Sequence, residues 1–122
     1  SIIPMQDPLI VIEVTGEVLY RALENGVSSF PKLEGRFPQV SGVSFCFNSE
    51  RPPGSRVDPR LVRIGDEWLS LTEKYTLCVK AYMHSGCDGY AMFKTCPILM
   101  DEDACPELGE LFLFLDEIID FY

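Results

Sequence analysis

The sequence predicts an α+β domain: a mixed, layered sheet flanked by helices. Three observations carry this expectation. Short β-branched runs recur along the chain, an amphipathic segment follows the first of them, and a second amphipathic segment closes the chain. A length of 122 residues fits one domain and not two. A domain of that size buries about two-thirds of the surface its unfolded chain exposes, enough for a core without staples.

The elements follow in order. Pro8 to Val14 is a near-continuous β-branched run and reads as a buried strand. Thr15 offers an N-cap hydroxyl, and Glu17 places negative charge in the first turn of the helix that follows. Val18, Leu19, Ala22, Leu23 and Val27 fall on one face of that helix, with Asn25-Gly26 as its stop. Residues 28–41 carry few periodic apolar positions and read as a loop. Val43 to Phe47 reads as a strand ended by the turn Arg51-Pro52-Pro53-Gly54. Leu61 to Ile64 and Glu67 to Leu69 flank Gly65-Asp66, a two-residue hairpin signal. Tyr75 to Tyr82 is a further strand, and Tyr90 to Lys94 a short helical turn. Glu107 to Tyr122 carries Leu108, Leu111, Phe112, Leu115, Ile118 and Ile119 at helical spacing and predicts a helix covering the sheet. Phe114 and Phe121 lie off that stripe, where contact with another part of a larger protein would engage them.

Composition narrows the function classes. Hydrophobic residues make up 47% and charged residues 24%, the balance of a folded protein and not of a disordered one. A net charge of −9 argues against polymeric nucleic acid or an anionic membrane as partner, since both require a basic face. No apolar run approaches the ~20 residues of a membrane span, and no basic-then-apolar leader opens the chain. The start at Ser1-Ile2-Ile3-Pro4, without methionine and inside an apolar segment, suggests a mature fragment. The five cysteines form no CxxC pair. They are expected mostly reduced, with Cys46 and Cys78 as small core hydrophobes in strands; a Cys96–Cys105 disulfide is the alternative.

No catalytic or metal-binding constellation is apparent. His84 has no second histidine with which to share a metal and reads as an exposed loop side chain. Asp101-Glu102-Asp103 lacks the spacing and distal glutamate of a calcium loop. Neither a GxGxxG segment nor a phosphate-loop lysine motif occurs. One segment remains, KAYMHSGCDGY from Lys80 to Tyr90. Gly86 and Gly89 let backbone approach a ligand closely, because no Cβ intervenes. The Asp88 carboxylate only accepts hydrogen bonds, which suits sugar hydroxyls or a base amino group and repels phosphate. Tyr82 offers a flat face for stacking. From the residues alone, a tight turn beside a core tyrosine is the favoured reading and a ligand loop the alternative.

Four motifs in register shift that balance. Leu23-Glu24-Asn25-Gly26-Val27, Glu34 to Val43 (EGRFPQVSGV), Arg51 to Val57 (RPPGSRV) and Gly86-Cys87-Asp88-Gly89-Tyr90 together resemble the C-terminal domain of the 5′-nucleotidase family, which also contains UDP-sugar hydrolases and 2′,3′-cyclic phosphodiesterases. The resemblance runs from about Ile3 to Tyr90; residues 91–122 share only a closing helix with it. It implies a parent protein whose separate N-terminal metallophosphoesterase domain carries two divalent metal ions that activate water. This chain would be the C-terminal domain, truncated on its N-terminal side, with that catalytic domain outside it. It would contribute no catalytic residue and bind no cofactor or metal itself, with a nucleotide or nucleoside as ligand and the upstream domain as partner.

The family holds the base between two aromatics. By resemblance Tyr82 is one of them, Asp88 hydrogen-bonds the nucleoside, and Gly86 and Gly89 shape the loop. The second aromatic follows a Leu-Pro pair; here Ile3-Pro4-Met5 places Met5 where phenylalanine is expected, and its thioether can still pack on a π face. The family's phosphate-clamping segment lies upstream of that pair, and its role is not carried onto Arg36 or Arg56, which fall in motifs expected to be structural. Family members also point to an extracytoplasmic or cell-surface location. The runner-up reading is a non-catalytic nucleotide-binding or protein-interaction module, and a cysteine-based redox or metal protein ranks below both.

Overall fold

The computed structural model describes residues 8–32, 37–101 and 118–122. Its frame is strand β1 (Leu9–Thr15), followed directly by helix α1 (Gly16–Gly26). Ile10, Val11, Ile12 and Val14 are buried. That continuous apolar run is explained by position, since β1 is hydrogen-bonded on both sides and covered on its faces. It runs antiparallel to β6 (Lys74–Lys80) in unbroken register, from Leu9 opposite Lys80 to Thr15 opposite Lys74. On its other edge it pairs antiparallel with β7 (Ile98–Asp101).

Beyond β6 lie β8 (Ile118–Phe121), parallel to it, and then β2 (Val40–Ser41), antiparallel to β8. The order β2-β8-β6-β1-β7 makes a mixed sheet, and the expected α+β class holds. A second, three-stranded sheet consists of β3 (Val43–Ser44), β4 (Arg63–Ile64) and β5 (Glu67–Trp68). Its β4–β5 hairpin turns at Gly65-Asp66, as the sequence predicts. There the Arg63 guanidinium lies 5.3 Å from the Trp68 ring centroid, a cation–π contact on an exposed face.

Helix α1 starts where its sequence signals place it. The Thr15 hydroxyl accepts from the Val18 N–H at 3.2 Å. The Gly16 and Glu17 N–H groups donate to the carbonyls of Glu73 (2.9 Å) and Leu71 (3.0 Å), so the first-turn donors are satisfied by the segment before β6. That crossing chain lies so close that a Cβ at Gly16 would overlap the Ser70 carbonyl. Leu19, Ala22, Leu23 and Val27 turn inward onto the core of the large sheet.

The helix end is fixed by two charged residues, the buried Glu24 and the half-buried Arg56. Glu24, 6% exposed, accepts from the backbone N–H of Arg56 (3.0 Å) and Val57 (2.9 Å) and from the Tyr20 hydroxyl (2.9 Å). Arg56 then turns back: its Nη1 faces the carbonyls of Val27, Ser28 and Phe30 at 2.7, 3.1 and 3.1 Å, while Nε donates to the Arg51 carbonyl at 2.8 Å. Carbonyls at and just beyond the end of a helix need such donors, and Arg56 serves here as a structural cation.

Several expectations need correction. The end of the predicted closing helix is strand β8, whose alternating burial has a period of two, with Ile119 and Phe121 inward. Phe121 is therefore core and not a contact for another part of a larger protein; it packs edge-on to Tyr90 (5.6 Å) and Phe93 (5.9 Å). The remainder of that helix, with Phe114, lies outside the described residues, as do Arg36 and Cys105. The loop over 28–41 ends in β2, and β7 forms where the sequence predicts no element. Of the strand Val43 to Phe47, Val43–Ser44 pair with β4 and Phe47 forms an isolated bridge to Val57. Leu61 belongs to a 3₁₀ turn, Pro59–Leu61, and not to the hairpin strand. Cys78 is buried as expected, but Cys46 is exposed. Cys96 has a free, buried thiol that approaches the Met92 carbonyl at 3.5 Å, and burial raises its pKa.

Candidate functional site

The candidate loop grows from the end of the central strand pair. Strand β6 stops at Lys80 because its partner stops: β1 begins at Leu9, and the Ala81 N–H bonds the Pro8 carbonyl at 2.8 Å. The chain then closes a single helical turn, α2 (Ala81–His84). Tyr82 consequently lies inside this turn and not at the strand end the sequence suggests. It is half-buried and packs against the core cluster, leaving part of its surface in solvent. The Ser85 hydroxyl donates to the Tyr82 carbonyl at 2.6 Å, tying the turn to the loop after it. His84 is half-buried, with Nε2 2.9 Å from the Cys96 carbonyl, and is not the exposed loop side chain expected.

From Gly86 the backbone visits the left-handed region three times, at Gly86 (φ +98°), Asp88 (φ +56°) and Gly89 (φ +84°). Aspartate is one of the few side chains that tolerates this conformation. The result is an exposed 3₁₀ turn, Cys87–Gly89, with Asp88 on its outside. Its far side is anchored by Tyr90, fully buried and stacked on Phe93 at 5.4 Å with 6° between the ring planes. Its inner side is tethered to α1, where Asn25 Nδ2 donates to the Asp88 carbonyl at 2.9 Å. A Cβ at Gly89 would overlap Asn25 Oδ1, and one at Gly86 would press on the stem of Lys94, 2.9 Å from its Cδ.

Tyr82, Gly86, Asp88 and Gly89 thus lie on successive turns beyond the end of β6, while Met5 lies outside the described residues. Asn25, which the sequence gives as part of the helix stop and of the Leu23–Val27 motif but not as a site residue, joins the loop. Its place in a motif matched in register with the loop motif was the available signal. Among the described residues, no group of three or more His, Cys, Asp or Glu could hold a metal ion. A cleft of about 590 Å³ opens elsewhere, between the small sheet and the first residues of β6 and β8, and none of the loop residues lines it. No helix among the described residues is long and apolar enough to cross a membrane.

Comparison with known proteins places the chain in a family. Residues 1–95 match the family described as 5′-nucleotidase, C-terminal domain. A protein designated 5NUC from Lutzomyia longipalpis is 35% identical over 107 residues, covering 81% of this chain and 19% of its own length. A 5′-nucleotidase from Diplobatis ommata is 32% identical over 100 residues, covering 77% of this chain and 17% of its own. Among solved structures, that of a 5′-nucleotidase precursor from Thermus thermophilus superposes on 98% of this chain and 24% of its own, with a TM-score of 0.73 and 31% identity. The chain belongs to the 5′-nucleotidase C-terminal domain family. It spans about a fifth of the length of these curated relatives.

Proposed function

We propose that this chain is the nucleoside-holding portion of a metal-dependent phosphoester hydrolase of the 5′-nucleotidase type and is inactive by itself. A metallophosphoesterase domain of the parent protein would supply two divalent metal ions and the water they activate. The observation that carries the reading is the loop. Asp88 is exposed on a turn shaped by the left-handed Gly86 and Gly89, six residues after the half-buried Tyr82, in a chain belonging to this family. In this reading Tyr82 stacks on the base, Asp88 accepts from the ribose or the base, Gly86 and Gly89 shape the loop, and Met5 covers the ligand's other face. The chain's contribution to the reaction is orientation.

Adenosine titration of the 122-residue chain, followed by NMR shifts, tests the site. Tyr82→Ala is expected to weaken binding by about tenfold, since stacking of one base on an aromatic contributes about 1–3 kcal/mol. Asp88→Ala is expected to cost a similar factor, as hydrogen bonds to a charged group contribute about 1.5–3 kcal/mol. Unchanged affinity in both variants would remove the site assignment. A second experiment concerns catalysis. The purified chain is expected to release no phosphate from AMP with zinc, manganese or magnesium, and metal-dependent turnover above the uncatalysed rate would falsify its inactivity alone.

A second reading, a nucleoside-binding module with no catalytic domain in its parent, draws on Met5 standing where an aromatic is expected. Adenosine binding is common to both readings. AMP hydrolysis by the full-length encoded protein separates them.

A further inference from the structure

The geometry points to Asn25 as the positioning residue for Asp88: a helix-borne carboxamide that sets the direction of the ligand-facing carboxylate. This rests on the reading of Asp88 as a nucleoside contact. A carboxylate selects a hydroxyl only when its oxygens stand within a few tenths of an ångström of good hydrogen-bond geometry. On an exposed turn, the aim of the Asp88 side chain follows the backbone angles at Asp88 and the peptide joining it to Gly89. Asn25 meets that peptide at two points. Its Nδ2 donates to the Asp88 carbonyl at 2.9 Å, and its Oδ1 lies against the space a side chain at Gly89 would fill. The assignment of nitrogen and oxygen is forced, because a carbonyl can only accept.

Asn25 is itself firmly held. It is the penultimate residue of α1, and its carbonyl accepts from the Ser28 N–H (3.2 Å) and hydroxyl (2.7 Å). Its neighbour Glu24 is bound to the Arg56 and Val57 backbone, while Arg56 binds the carbonyls that follow the helix. The clamp therefore reaches the loop from rigid structure 63 residues away in sequence.

A double-mutant cycle on adenosine affinity tests this. Asn25→Ala is expected to weaken binding about fivefold to tenfold, the effect of one well-placed hydrogen bond on the geometry of another. In an Asp88→Ala background the same change is expected to cost less than about twofold, because no carboxylate remains to be aimed. In a Tyr82→Ala background it keeps its full effect, because the two act on different ends of the ligand. A merely structural role predicts equal losses in both backgrounds, and that result would overturn the inference. If Asp88→Ala leaves affinity unchanged, the binding-site reading fails, and the role of Asn25 fails with it. If Asp88→Ala weakens binding but Asn25→Ala does not, only the inference fails. Should Asn25→Ala fold poorly, Asn25→Ser, too short to reach the Asp88 carbonyl, takes its place in the same cycle.

Discussion

Glu24→Gln is expected to lower folding stability by about 3 kcal/mol, although it removes only a charge and keeps the shape. The Glu24 carboxylate accepts three hydrogen bonds, from the Arg56 and Val57 N–H groups and the Tyr20 hydroxyl, spread over both its oxygens. A carboxamide has one oxygen, so its NH₂ must face a buried N–H, and that donor loses its partner. A buried donor left unpaired costs about 1–3 kcal/mol, and the remaining bonds lose their charge assistance. Denaturant unfolding checks the value, and a loss under about 0.5 kcal/mol with an unchanged slope contradicts it.

Alkaline pH probes the same hub from the Tyr20 side. The phenol pKa is raised above the ordinary 10.0, first by burial, then by its bond to Glu24 and the charges of Glu24 and Asp58. A pKa raised by folding means that the neutral phenol stabilises the fold. That contribution is complete below pH 10.0 and is lost as pH rises through the raised value. Stability is therefore expected to begin falling near pH 10.0, and less steeply in Glu24→Gln, where burial persists but the contributions of Glu24 are gone.

How much of this was legible in the sequence depended on whether the deciding contact was local. β1 and α1 were read correctly because their signals lie within a few residues: a β-branched run, the Thr15 cap and a stripe of apolar positions. The Gly65-Asp66 hairpin was equally local. β8 was not, since Ile118 and Ile119 satisfy a helical stripe and a strand alike. The parallel pairing with β6, which places Ile118 opposite Thr76, decides between them. The strand assigned through Tyr82 ended at Lys80 for the same kind of reason, because the partner β1 begins at Leu9. The candidate loop is readable as a unit because Tyr82, Gly86, Asp88 and Gly89 fall within one eight-residue stretch. Its support is not, because the tether from Asn25 joins two segments that share no local pattern.

The largest expected effect at the loop is that of Gly89→Ala. Two penalties of different origin meet at this residue. Its φ of +84° is a left-handed conformation that costs an L-residue with a Cβ about 1–2 kcal/mol. The added carbon would also overlap Asn25 Oδ1, and moving that side chain breaks its 2.9 Å bond to the Asp88 carbonyl, worth about 1 kcal/mol. Together they predict a stability loss of about 2–3 kcal/mol and adenosine binding weakened by more than about tenfold. The two penalties separate in an Asn25→Ala background, where the overlap is gone and the backbone cost remains. There Gly89→Ala is expected to cost about 1 kcal/mol less than in the native chain, a coupling that denaturant unfolding of the four proteins resolves. Additivity within about 0.3 kcal/mol would mean that Asn25 yields freely to an intruding methyl group, and a side chain that yields freely cannot aim Asp88.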